Sequence, residues 1–253
     1  MYKAYHSGHK KNYTLDEWIM NPAFIDKNSK DRKFLVEPRC PVCKTALSIR
    51  PKADGVRTRH FWHSTKNTDC PTVKENNLQY LGLGETHDDK DAINNFKIEV
   101  ASNSYKIFLK CMNMCDDKLS IKEFIDMLEC FTKHNIWDYR NLYLKYIPYM
   151  LLHLSCNIKK DLYFVLMPYK FSNPNNLWIA SDDEKFLLRI DDNTGNEEKF
   201  KISDDFLKTP SHPTQQFNNE LTNILYAIRI DKIRYDNVIR EYNNINSIIG
   251  SIL

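Results

Sequence analysis

Apolar residues recur along this chain with two different spacings, and the spacings divide it. Helical spacing is plainest in "LSIKEFIDMLECFTKHN", where Ile121, Phe124, Ile125, Leu128 and Phe131 share one face. Ser120 and Glu123 stand ahead of that run at capping-box spacing. From Asp89 to about Met114, Ile93, Phe96, Val100, Ile107 and Leu109 extend the helical pattern. "YRNLYLKYIPYMLLHLS" predicts a further helix, bent at Pro148. Earlier, "YTLDEWIMNPAF" predicts a short helix, capped by Thr14 with Glu17 and stopped at Asn21-Pro22.

Strand-like runs occupy two other regions. "KFLVEPRC" leads into a cysteine pair, and "TALSIRP" and "GVRTRHFWH" form a hairpin through "KADG". Between 162 and 203, "LYFVLMPY", "NLWIAS", "KFLLRI" and "EKFKIS" predict strands, the last two joined by a turn containing Gly195. One or two helices close the chain over 211–253. The expected class is α+β. A module over 1–85, with its own short helix, precedes a mixed domain over 86–253. That domain is helical over 88–156, carries strands over 162–203 and ends in the C-terminal helix.

At 253 residues, 42% hydrophobic and 12% aromatic, the chain can fill one large core or two small ones. Its longest apolar run, Ile147 to Leu154, falls well short of the ~20 residues of a membrane span. "MYKAYHSGHKKNY" has no apolar stretch of signal-peptide type, so a cytoplasmic protein without membrane contact is expected. Charge is uneven. Residues 1–74 carry 15 Lys and Arg against 7 Asp and Glu, and residues 75–253 carry 21 against 26. The basic part suits an anionic partner or attraction to the acidic remainder.

The basic part also holds the chemistry. Cys40-x2-Cys43 can present two thiolates to one tetrahedral ion. His60 and His63 follow in "HFWH", then Cys70. Two ligand sets are open: Cys40, Cys43, His60 and His63, or Cys40, Cys43 and Cys70 with one histidine. Thiolate and imidazole donors select zinc over magnesium or calcium. Four protein ligands leave no seat for water, so the expected Zn²⁺ is structural and stands in for a core too small to fold alone. In a chain with no signal segment, cysteines at this spacing read as ligands rather than disulfides. Cys111, Cys115, Cys130 and Cys156 are expected as buried free thiols. Cys111-x3-Cys115 with Cys130-x3-His134 is a second ligand arrangement the spacing permits.

The stretch "CPVC…HFWH…C", about residues 34–72, resembles the N-terminal zinc-finger segment of the competence protein CoiA family, bacterial proteins associated with DNA uptake and recombination. The resemblance covers about 15% of the chain. In that family a glutamate–histidine–lysine segment leads into a restriction-endonuclease-like domain. Here "GETHDDKDAINNF" offers Glu85, His87 and Lys90, with Glu85 and His87 closer together than in the family. A nuclease of that type also needs a carboxylate on one strand and Glu-x-Lys on the next to hold Mg²⁺. "LYFVLMPY" has no carboxylate, and Glu197-Glu198-Lys199 sits beside a turn. Glu85, His87, Asp88, Asp89 and Asp91 also read as an acidic helix start.

No Gly-rich phosphate loop, Ser–His–Asp order or dinucleotide fingerprint appears. The expectation is therefore a non-catalytic zinc-binding bacterial protein of nucleic-acid biology, in DNA processing, mobile elements or phage defence. Arg50, Lys52, Arg57 and Arg59 contact nucleic acid in this reading, together with Arg32, Lys33, Arg39 and Lys44. Phe61 and Trp62 are expected inside the module's small core. The alternatives are a diverged metal-dependent nuclease using Glu85 and His87, and a protein-interaction adaptor.

Overall fold

The computed structural model describes residues 3–26, 28, 33–50, 60–63, 70, 89–139, 142–154, 162–167, 185–191, 194, 196–231, 233–237 and 240. The fold is α+β, with helices and small antiparallel sheets. Contacts gather the chain into two units, neither of them continuous. The first comprises Met1–Gln79, Lys159–Lys170 and Phe186–Phe200; the second comprises Tyr80–Ile158, Phe171–Lys185 and Lys201–Leu253.

In the first unit, β1 (Lys3–His6) and β2 (Lys11–Thr14) form a hairpin. Helix α1 (Leu15–Met20) follows at once. The capping box at its start forms as the spacing predicts: Glu17 N–H donates to Thr14 Oγ1, and the Glu17 carboxylate accepts from the Thr14 N–H at 2.7 Å. The helix stops where Asn21 turns extended before Pro22. "KFLVEPRC" is not a strand. It makes isolated bridges, Ile25 with Phe34, and Arg39 with both Tyr5 and Ala46. Pro38, which has no N–H to give a ladder, interrupts the run.

β3 (Leu47–Arg50) and β4 (His60–His63) pair antiparallel, with Leu47 opposite His63 and Arg50 opposite His60. The expected "KADG" turn lies outside the described residues. A third sheet has the order β5 (Leu162–Met167), β6 (Phe186–Asp191), β7 (Glu197–Lys201). "NLWIAS" also lies outside the described residues. Val165, Leu188 and Ile190 from this sheet join Ala4, Leu15, Trp18, Phe24, Ile25, Leu47, Phe61, Cys40 and Cys70 in one core. Asn12 also donates to the Asp191 carbonyl at 3.4 Å. The strands expected within an 86–253 domain therefore complete the N-terminal core. Far apart in sequence, their apolar faces are buried together.

The second unit is mainly helical. The single run expected from Asp89 to Met114 is two helices, α2 (Lys90–Ser102) and α3 (Ser104–Met114). They break at Asn103, whose φ of −103° and ψ of 9° leave the α basin. α4 (Ile121–Lys133) carries the Ser120–Glu123 capping box and buries Phe124, Met127, Leu128 and Phe131. α5 runs only from Ile147 to Leu154. Pro148 therefore sits in its first turn rather than at a bend, where its missing N–H costs no helical bond. α6 (Asp205–Lys208), α7 (Gln215–Asn219) and α8 (Leu221–Ile228) complete the unit. Phe108, Phe124 and Phe217 pack edge-on and tilted against one another, with centroids 5.4 to 6.5 Å apart, and α8 packs on α4. Among the described residues no helix is long and apolar enough to cross a membrane.

Candidate metal centre

The site begins at a tight loop. Arg39 and Ala46 bridge, Cys40 N–H donates to the Thr45 carbonyl at 2.8 Å, and Lys44 N–H donates back to Cys40 at 3.0 Å. Lys44 takes the left-handed conformation, φ 58°, which turns the chain sharply enough to bring Cys43 back beside Cys40. The Val42 N–H points at Cys40 Sγ, 3.4 Å away. Such a donor favours the thiolate form. The loop runs straight into β3, and the β3–β4 register sets His63 opposite Leu47, next to the loop. Cys70 completes the group.

Cys40, Cys43, His63 and Cys70 each offer one ligand atom, and these atoms all lie within 4.8 Å of one another. Cys40, Cys70 and His63 are buried, and Cys43 is partly exposed. The sulfurs of Cys40 and Cys70 are 3.6 Å apart. A disulfide needs about 2.05 Å. Two sulfurs at 2.3 Å from a tetrahedral zinc would stand about 3.8 Å apart. The separation is that of co-ligands.

His60 is not in the group. Strand alternation explains the choice, because residues three apart point to opposite faces. Phe61 and His63 face the core, 1% and 8% exposed, whereas Trp62 is 48% exposed. His60 lies on Trp62's side, its ring edge-on to the indole at 6.5 Å. The arrangement is Cys3His. The expectation that Trp62 is in the core fails for the same reason: its neighbour Phe61 takes the inward position, against Trp18 at 5.8 Å.

Thr45 is the residue that sequence reasoning missed. Its Oγ1 lies 2.8 Å from Cys43 Sγ and 3.2 Å from His63 Nδ1. A hydroxyl that donates to the sulfur accepts from Nδ1–H, which assigns the imidazole lone pair to Nε2. Nε2 is buried without a hydrogen-bond partner. Its place two residues after the second cysteine was the only available signal.

Electrostatics also suit a cation. Burial pushes the Cys40 thiol far up, and hydrogen bonds and charge from Cys43 and Cys70 add to this. Cys43 is held far below the ordinary thiol range by hydrogen bonds from Cys40 and Cys70, with Thr45 contributing. Burial lowers the His63 imidazole, and the Cys43 charge partly offsets it. One thiolate is thus shared among neighbouring thiols, and further deprotonation is opposed by burial and like charge. A dication removes both penalties. Lys44 clamps the loop from outside. Its Nζ reaches the Pro41 carbonyl at 2.6 Å and Glu197 at 2.8 Å, above the Tyr5 ring.

The other expected site residues divide. Arg39 pairs with Glu37 at 2.6 Å and donates to the Lys44 carbonyl, so Arg39 and Lys44 both serve the local structure. Lys52, Arg57, Arg59, Arg32, Glu85, His87, Asp88 and Cys156, and the Arg50 side chain, lie outside the described residues. Asp89 caps α2, accepting from the N–H groups of Asp91 and Ala92. Cys111 and Cys115 are buried in the helical core. Cys130 and His134 line an open cleft of about 930 Å³ beside Tyr226 and Arg229. Among the described residues, the four-residue cluster around Cys40 is the one group placed to hold an ion, and the second ligand arrangement does not assemble. No protein-family model, no curated protein and no solved structure matches the chain.

Proposed function

We propose that the protein binds one structural Zn²⁺ through Cys40, Cys43, His63 and Cys70, and that the folded module contacts nucleic acid. The observation that carries the metal assignment is the convergence of three sulfurs and one imidazole within 4.8 Å. Donor softness favours zinc, and four protein donors close the coordination shell. Cys40 and Cys70 also belong to the hydrophobic core of their unit, so the ion would tie loop and core together.

The nucleic-acid reading rests on charge. Residues 1–74 carry 15 Lys and Arg against 7 Asp and Glu, Arg50, Lys52, Arg57 and Arg59 among them. The resemblance of residues 34–72 to the CoiA finger points the same way, to DNA processing. Cutting is not part of the proposal, because "LYFVLMPY" carries no carboxylate and Glu197-Glu198-Lys199 sits beside a turn. The test is titration of labelled nucleic acid at increasing salt. Affinity should fall steeply, and replacing Arg50, Lys52, Arg57 and Arg59 with Glu should abolish it. Salt-independent behaviour, or unchanged binding by the Glu variant, would leave the adaptor reading.

A further inference from the structure

The outward side of the β3–β4 hairpin has no role in the metal centre. Alternation places Ser48, His60 and Trp62 at outward register positions, with Ser48 opposite Trp62. Trp62 is 48% exposed although the position before it, Phe61, is buried. An indole is large and rigid, and leaving half of it in water is costly unless something covers it. Its neighbour on this face is another flat ring, His60, edge-on at 6.5 Å. Met20 and Leu35 are exposed elsewhere in the unit, but aliphatic chains offer no stacking face.

We infer that this face is a stacking platform for the unpaired bases of a single-stranded nucleic acid, with Trp62 as the main contact and His60 beside it. The inference rests on the nucleic-acid reading above and deepens it. Three features select this occupant. A planar aromatic on an open strand face stacks on any exposed base, whatever its identity. A duplex buries its base faces in the helix and cannot offer them. The surrounding sequence supplies phosphate-neutralising charge, because the unit's first 74 residues hold 15 Lys and Arg against 7 Asp and Glu. The bases would meet the ring while cations follow the backbone, the division of labour of single-strand grooves. The proposed zinc centre would set the platform's position, since His63 on the opposite side of β4 belongs to the candidate ligand group.

The experiment uses the full zinc-loaded chain and fluorescence anisotropy with three probes: a labelled oligo-dT, an oligo-U of the same length and a duplex. The variants are Trp62→Ala, Trp62→Phe and His60→Ala, each checked for zinc content. One lost stack should weaken single-strand binding by Trp62→Ala roughly 5- to 150-fold. Trp62→Phe should recover most of the loss, and His60→Ala should cost less than Trp62→Ala. The dependence on salt should keep its slope, because no cation has been removed. Duplex binding should not change. Wild-type binding with equal affinity in Trp62→Ala overturns the platform alone, and so does an equal loss on duplex. Failure of the wild type to bind any probe at low salt overturns the platform together with the charge-based reading beneath it.

Discussion

Removing the Thr45 hydroxyl should weaken the metal centre without touching a ligand. Thr45→Val keeps the side chain's shape and deletes only the oxygen, which lies 2.8 Å from Cys43 Sγ and 3.2 Å from His63 Nδ1. Two things are lost. The Cys43 thiolate loses a donor, and the imidazole loses the acceptor that fixes its tautomer. Outer partners of this kind are worth about 10- to 100-fold in metal affinity, or about 1.4 to 2.7 kcal/mol. Competition against a chromophoric chelator of known zinc affinity measures the change directly. Thr45→Ser, which retains the oxygen, should bind nearly as tightly as wild type. Equal affinity of Thr45→Val and wild type would refute the argument that this hydroxyl orients His63.

Three further outcomes follow from the same contacts. Phe61→Ala should cost about 3 to 5 kcal/mol of the first unit's stability, because its ring is 1% exposed and packs on Trp18; denaturant unfolding of the zinc-loaded protein reads this, and a loss under 1 kcal/mol would contradict the packing. Ser120→Ala should destabilise α4 by about 1 kcal/mol through loss of its capping box, measured by hydrogen exchange of the first-turn amides. Acid should expel the ion. Burial holds His63 below its ordinary pKa of about 6.5, so the neutral, ligand-ready form persists below that pH and is lost only as pH falls through the lowered value, with thiolate protonation acting in the same direction. Zinc release into a chelating dye, followed from pH 8 to pH 4, should increase on acidification, and greater release at pH 8 would be the wrong sign.

Local chemistry was the legible part of the sequence. Thr14 with Glu17 and Ser120 with Glu123 are recognisable because each box closes within four residues, and both form. The five metal-site residues named from spacing include the four that converge. Spacing left two ligand sets open, and the alternation of β4, with Phe61 and His63 on its buried side, decides between them. A hairpin strand carrying both His60 and His63 cannot aim both at one ion, and one carrying Phe61 and Trp62 cannot bury both. What sequence did not reveal was long-range. No local pattern says that Val165, Leu188 and Ile190 fill the core around Trp18 and Phe61, because that depends on how distant strands pack. Asn103 was equally hidden: hydrophobic spacing runs through it, and only its backbone angles divide α2 from α3.

The central claim is a closed Cys3His zinc centre built on Cys40, Cys43, His63 and Cys70. X-ray absorption at the zinc edge of the purified protein, paired with elemental analysis of His60→Ala and His63→Ala, tests it most directly. The account predicts one zinc per chain with three sulfurs near 2.3 Å and one nitrogen near 2.0 to 2.1 Å. His60→Ala should keep the ion, and His63→Ala should lose or loosen it. A shell of two sulfurs and two nitrogens, with zinc lost in His60→Ala, would contradict it, as would well-folded protein that holds no zinc.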